Sequence, residues 1–150
     1  MTILAFSVIA IVASAQPDLS GTWKLNKEKS KLNDQFSMAP SKMTITQNGN
    51  NLAVVRQVSF QDNDITINDK FTLDGKECIN PGMMDTQKKS VVTISEDKKS
   101  VIITSKIPMQ DGAEMTIKEI FSIQDGNLIF DSSSSSSFGD MNEKMVFDKI

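Results

Sequence analysis

Short runs of alternating apolar and polar residues follow residue 19, and turn-forming residues separate them. Side chains of a β-strand point to opposite faces in alternation, so these runs predict strands with one buried face. The separating residues include Gly, Asp and Asn, which hairpin turns require. The predicted strands comprise residues 20–26, 42–47, 52–60, 65–73, 88–95, 100–107, 114–123, 127–137 and 143–149.

Most of these strands follow one another through short connections, which predicts an all-β, up-and-down antiparallel barrel of about 8–9 strands. Closing the meander into a barrel pairs the edge strands that would otherwise promote aggregation. The two longer connections, residues 27–41 and 74–87, contain Lys, Ser, Pro and Gly. We expect loops there, with room for one helical turn.

The first fifteen residues contain no charge and are mostly apolar up to Val12, and Ala13 to Ala15 are small. This pattern predicts a signal peptide over residues 1–15 and export to the periplasm or the extracellular space. The apolar run is shorter than the roughly 20 residues of a membrane-spanning helix. Residues 16–150 are then expected to form one domain, which is long enough to bury its own core.

Composition excludes several classes of function. The chain has 19 acidic and 16 basic residues without a block of either sign, which disfavours binding to nucleic acid or to an anionic membrane. It has no histidine, so Ser-His-Asp and Cys-His catalysis and ordinary catalytic zinc sites are excluded. The single Cys78 cannot form an internal disulfide, and we expect a partly buried thiol.

The segment Leu19 to Leu25, with Gly21-Thr22-Trp23 at its centre, resembles the Gly-x-Trp opening strand of lipocalins and of the wider calycin superfamily. The strand order over residues 19–149 is similar to that of divergent lipocalin-like domains in small secreted bacterial proteins. The chain has no Tyr, so it lacks the second lipocalin signature.

The resemblance implies that the barrel has a closed end, which Trp23 plugs, and an open end that admits a small ligand. A basic side chain from the last strand would cover Trp23, and both Lys144 and Lys149 are candidates. The alternative is that Trp23 is an ordinary core aromatic residue.

Hairpin registers predict charged and small polar residues on the inner face of the barrel. A turn at residues 62–63 would pair Arg56 with Asp69. A turn at residues 97–98 would pair Ile94 with Val101, and a three-residue loop with Gly112 would pair Ile103 with Glu119. The turn at residues 125–126 would place Glu119 beside Ser132, and Ile117 beside Ser134. Buried charges are costly unless they are paired or hydrated, and small serines leave volume unfilled. We therefore expect a small polar cavity, unless a bulge turns this face outward.

The candidate ligand-binding residues are Arg56, Asp69, Glu119, Ser132 and Ser134. Arg56 would orient an anionic or strongly polar group, Asp69 would hold the guanidinium, and Glu119 would limit which ligands fit. The two long connections would border the barrel mouth with the apolar side chains of Phe36, Met38, Met83 and Met84.

The favoured function is noncovalent binding of a small polar or amphipathic molecule by a monomer, without a cofactor or a metal. One alternative is a protein-interaction or structural module with a solid-packed barrel. Another is an enzyme that uses Asp69 and Glu119 as a carboxylate pair. Cys78 with Met83 and Met84 offers soft ligands for Cu(I), but methionines are frequent in this chain and more often fill gaps.

Overall fold

Ten antiparallel strands form one sheet in a computed structural model that describes residues 16–150. The predicted signal peptide lies outside the described residues. A 3-10 helix, Lys27–Lys29, lies in the connection between the first two strands. The strands are β1 (Gly21–Leu25), β2 (Lys42–Asn48), β3 (Asn51–Phe60), β4 (Asn63–Thr72), β5 (Cys78–Pro81), β6 (Gln87–Ile94), β7 (Ser100–Pro108), β8 (Glu114–Gln124), β9 (Asn127–Ser136) and β10 (Gly139–Lys149).

The order of the strands in the sheet is β4-β3-β2-β1-β10-β9-β8-β7-β6-β5, which confirms the predicted all-β, up-and-down barrel. The strand count is ten rather than about nine, because β5 was not predicted. It has only four residues, Cys-Ile-Asn-Pro, which do not alternate in polarity and end in a residue that cannot donate a hydrogen bond.

Side chains join β4 to β5, the two ends of the hydrogen-bonded sheet. The Lys70 backbone N–H donates to Asn80 Oδ1 at 2.8 Å, and Asn80 Nδ2 donates to the Lys70 carbonyl at 3.0 Å. The Thr72 N–H donates to the thiol sulfur of Cys78 at 3.3 Å. The Asn80 amide thus replaces a backbone pair and closes the barrel at this seam.

The register between β3 and β4 differs by two residues from the prediction. Gln61 and Asp62 form the turn, with φ of 48° and 62°, and Arg56 lies opposite Ile67 instead of Asp69. Asp69 lies opposite Val54. A shift of two residues preserves the face on which each side chain lies, so Arg56 and Asp69 still point inward.

The predicted registers of the later hairpins are confirmed. Ile94 pairs with Val101. Glu119 pairs with Ile103 on one side and with Ser132 on the other, and Ile117 pairs with Ser134. The serine-rich segment is a regular strand up to residue 136, and β10 begins four residues before its predicted start.

One half of the barrel is filled by an apolar core. We call this half the closed end, and it contains the turns after β2, β4, β6 and β8. The opposite, open end contains the turns after β3, β5, β7 and β9 and the connection 26–41. The core consists of Leu19, Trp23, Met43, Ile45, Leu52, Val54, Phe71, Leu73, Val92, Val101, Ile103, Phe121, Leu128, Phe130, Met145 and Phe147.

Candidate ligand-binding cavity

A cavity of about 780 Å³ occupies the barrel interior toward the open end. Ligand sites in proteins typically enclose about 300–1,000 Å³. The alternation of each strand brings apolar side chains to the inner face, so the wall is mostly aliphatic and aromatic. Its apolar members include Val58, Ile65, Ile67, Ile107, Met115, Ile117, Phe130 and Met145.

The structure brings four of the five candidate ligand-binding residues to the cavity and places the fifth, Asp69, next to them. Arg56 on β3, Glu119 on β8, and Ser132 and Ser134 on β9 line the cavity. Asp69 lies behind this layer and is only 1% exposed. The cavity floor is therefore charged, while its wall is apolar.

Glu119, and not Asp69, holds the guanidinium of Arg56. Arg56 Nη1 lies 2.9 Å from Glu119 Oε1, and Nη2 donates to Oε2 at 3.2 Å, a bidentate ion pair. The distance from Arg56 Nη1 to Asp69 Oδ2 is 4.0 Å. The guanidinium also lies over the ring of Phe130, 5.6 Å from its centroid. Glu119 is therefore the main partner of the guanidinium, and Asp69, which was expected to hold it, is a more distant partner.

Lys88 is a fourth member of the floor that the sequence analysis missed. Its Nζ donates to Asp69 Oδ2 at 2.7 Å, and the residue is buried. Inward-facing Ser90 and Val92 follow it at steps of two along β6, so strand alternation could have placed it inside. We call Arg56, Asp69, Lys88 and Glu119 the ionic floor.

Burial and pairing act in opposite directions on Arg56. Burial alone would lower the pKa of its guanidinium, but the charges of Glu119 and Asp69 outweigh this effect and the pKa is raised. Arg56 is thus a cation at every physiological pH. Within residues 16–150, Arg56 Nε and Asp69 Oδ1 are buried atoms without a hydrogen-bond partner. One donor and one acceptor in the floor therefore remain unsatisfied by protein groups.

The four residues expected at the barrel mouth all border the cavity opening. Phe36 and Met38 come from the connection 26–41, and Met83 and Met84 from the turn after β5. Phe36 packs edge-on against Phe60 with 5.8 Å between ring centroids. Met84 is 74% exposed, so the rim of the opening is apolar and accessible.

Trp23 lies at the closed end and is 2% exposed. Its indole N–H donates to the Leu19 carbonyl at 3.0 Å, and Lys149 Nζ lies 5.5 Å from the centre of the ring. Lys144 lies on the outer face of β10, where its backbone pairs with that of Lys31. Of the two candidate residues, Lys149 is therefore the one that covers Trp23.

Gly21 permits this close approach. Its φ is 149°, and a Cβ atom there would lie 3.1 Å from Lys149 Cε and 3.3 Å from the Trp23 indole. The backbone conformation and the short contacts both disfavour any larger residue. Glycine in the Gly-x-Trp pattern therefore allows Lys149 and Trp23 to pack closely at the closed end.

Two alternative chemistries find little support in this geometry. Asp69 and Glu119 are each paired with a cation, so neither is a free proton donor. Cys78 begins β5, whereas Met83 and Met84 follow its end, so a four-residue strand of about 10 Å or more separates the thiol from the two thioethers.

Residues 16–150 contain no group of three or more His, Cys, Asp or Glu side chains able to hold a metal ion. In the same range, no helix is long and apolar enough to span a membrane.

No protein-family model matches the sequence, and no curated protein matches it. Two solved structures are similar in fold. Zebrafish ileal bile acid-binding protein, in complex with cholic acid, is 16% identical with a TM-score of 0.57, and the match covers 87% of this chain and 98% of that one. Apo lipid binding protein 8 from Caenorhabditis elegans is 13% identical with a TM-score of 0.62, covering 91% and 100% of the two chains. The chain thus shares the β-barrel fold of these two proteins.

Proposed function

We propose that this protein binds a small apolar or amphipathic molecule noncovalently in the open half of its barrel. The observation that supports this proposal most strongly is the cavity of about 780 Å³ with an apolar wall and an apolar, accessible rim. The two proteins of similar fold are named for the binding of bile acids and of lipids, which is consistent with a ligand of this class.

The contrast between the two halves of the barrel supports the same proposal. Protein interiors normally pack as densely as organic crystals, and the closed half follows this rule. In the open half, Ser132 and Ser134 stand beside Glu119 and Ile117, and these small side chains leave the space between them unfilled. The alternative function, an interaction or structural module, was expected to have a solid-packed barrel. The cavity in the open half does not fit that expectation.

A fluorescence titration with Nile red, an uncharged apolar dye, tests the proposal. We expect saturable binding by the wild-type protein. Ser134→Trp would fill the cavity and weaken binding by about tenfold or more, the equivalent of about 1.4 kcal/mol. Ser133→Trp, one residue away on the exposed outer face, is the matched control and is expected to bind like the wild type. Absence of saturable binding, or equal effects of the two variants, would contradict the proposal.

We also propose that the protein is exported, monomeric and not an enzyme. Export rests on the composition of residues 1–15 alone. The absence of catalysis is supported by the pairing of both inward carboxylates with cations. Detection of the processed chain, beginning near Gln16, in the cell-envelope or medium fraction would test the export.

A further inference from the structure

We infer that the cavity selects ligands whose polar end is uncharged, such as a long-chain alcohol, over the corresponding carboxylates. This inference rests on the proposed function and specifies the chemical class of the ligand. Four features of the cavity support it: its charge balance, the engagement of Arg56, the neutral polar groups on its wall, and the turns around its mouth.

The cations at the cavity are already neutralised. Arg56 pairs with Glu119, and Lys88 pairs with Asp69. A third carboxylate, Glu143, also borders the cavity. Cavity and floor together therefore contain two cations and three anions among the described residues. A ligand carboxylate would bring a further negative charge into a poorly hydrated space, which is costly without a counter-charge.

The charge of the Arg56 guanidinium is already offset by Glu119. Each terminal nitrogen contacts one oxygen of Glu119, and Nε is closed off from solvent. A ligand carboxylate could form the same bidentate contact only by displacing Glu119, which would then remain buried without a partner. A carboxylate that accepts only the remaining N–H groups meets a cation whose charge is already paired.

The groups that do face the cavity suit an uncharged polar end. The hydroxyls of Ser132 and Ser134 can both donate and accept, and neither has a hydrogen-bond partner within the described chain. A hydroxyl group complements donors and acceptors alike, whereas a carboxylate can only accept.

The hairpin turns at the mouth disfavour the approach of anions. Asp62, Asp85 and Asp111 lie in three of these four turns, and none of the four contains Lys or Arg. The lysines at this end of the barrel lie in the connection 26–41 and at the ends of strands, at Lys42, Lys88, Lys89 and Lys106. A negative local potential lowers the rate at which anionic ligands associate and leaves that of neutral ligands unchanged.

Competition between dodecanol and dodecanoate for bound Nile red, below their aggregation limits and near neutral pH, tests the inference. The two compounds share one chain and differ at the polar end. We expect dodecanol to bind about tenfold more tightly or better. Equal or tighter binding of dodecanoate would overturn the inference while leaving the proposed function intact, as would failure of both to displace bound dye. Absence of Nile red binding itself would overturn the proposed function.

Charge variants test whether the ionic floor, rather than contacts with the hydrocarbon chain of the ligand, produces the preference for an uncharged polar end. Glu119→Gln leaves the Arg56 charge without its main partner, so the preference for dodecanol over dodecanoate should fall by about tenfold. The double variant Arg56→Met with Glu119→Met removes both charges and should retain the preference. Glu114→Gln, on the outer face and paired with Lys106 at 3.4 Å, is the matched control. An unchanged preference in the folded Glu119→Gln variant would overturn the inference.

Discussion

The stability of the fold is expected to be sensitive to changes around Asp69, because this carboxylate is almost fully buried and one of its oxygens has no hydrogen-bond partner within residues 16–150. Its nearest cation is Lys88 Nζ, at 2.7 Å. Lys88→Met would leave a buried carboxylate without this cation, at a cost of about 3 kcal/mol or more. Urea unfolding measures the loss, and Lys89→Met, at the neighbouring exposed position, is the control.

A double variant distinguishes the loss of the ion pair from the loss of packing. Asp69→Leu combined with Lys88→Met replaces both charges by apolar groups, which is often nearly neutral. We expect the double variant to regain most of the stability that Lys88→Met loses. Equal unfolding free energies for Lys88→Met and Lys89→Met would contradict the assignment of Lys88 to the ionic floor.

Asp111, in the turn between β7 and β8, forms a pH-dependent hydrogen bond to the neighbouring turn at the mouth. The hydroxyl of Ser137, at the tip between β9 and β10, and the Ala113 N–H lower the pKa of Asp111 by donating to its carboxylate. A carboxyl group whose pKa is lowered by folding adds stability above its unfolded pKa, and this stability is lost as the pH falls through the folded pKa.

Ser137→Ala should therefore raise the pKa of Asp111 toward its ordinary value and reduce this acid-sensitive contribution. An NMR titration of the carboxyl carbons measures the pKa directly. Ser95→Ala is the matched control, since Ser95 lowers the pKa of Asp97 in a different turn. An Asp111 pKa that is the same in Ser137→Ala and in the wild type would show that the two turns are not coupled.

At the scale of elements, the seam between β4 and β5 depends on one side chain. Asn80→Leu removes both hydrogen bonds to Lys70 and leaves the backbone N–H and carbonyl of Lys70 without these partners. We expect hydrogen exchange of the Lys70 amide to accelerate by about tenfold or more. Ile79→Ala, at the adjacent exposed position of β5, should leave this exchange rate unchanged. Equal exchange rates in the two variants would mean that another contact closes the barrel.

Strand alternation and turn residues were sufficient to predict nine of the ten strands and most registers. The turn at Asp125-Gly126 has φ of 51° and 78°, and its Gly identified it correctly. The turn at Gln61-Asp62 has no Gly, and the Asp62-Asn63 pair beside it was the stronger sequence signal. This one difference produced the incorrect pairing of Arg56 with Asp69.

The central contact of the candidate site could not be obtained from strand pairing. Arg56 and Glu119 lie on β3 and β8, which are not neighbours in the sheet. Their ion pair forms only because the barrel curves and brings opposite walls together. Lys88 is different, because the alternation of β6 already placed it on the inner face.

On the scale of the whole molecule, the ionic floor divides the barrel into a half filled by apolar core and a half with an open cavity. The core and the closed end around Trp23 contain the buried apolar side chains that stabilise the fold. The open half, with its apolar wall and rim, is available for binding. We propose that a ligand occupies this half and no other part of the described protein.

Methyl NMR spectra recorded during a titration with dodecanol test this proposal, because they locate the ligand. We expect saturable shift changes at the cavity methyl groups of Ile107, Met115 and Ile117, with much smaller changes at Val92, Val101 and Leu128 in the closed half. Saturable shift changes confined to outward-facing methyl groups or to the closed half would show that the ligand binds outside the cavity.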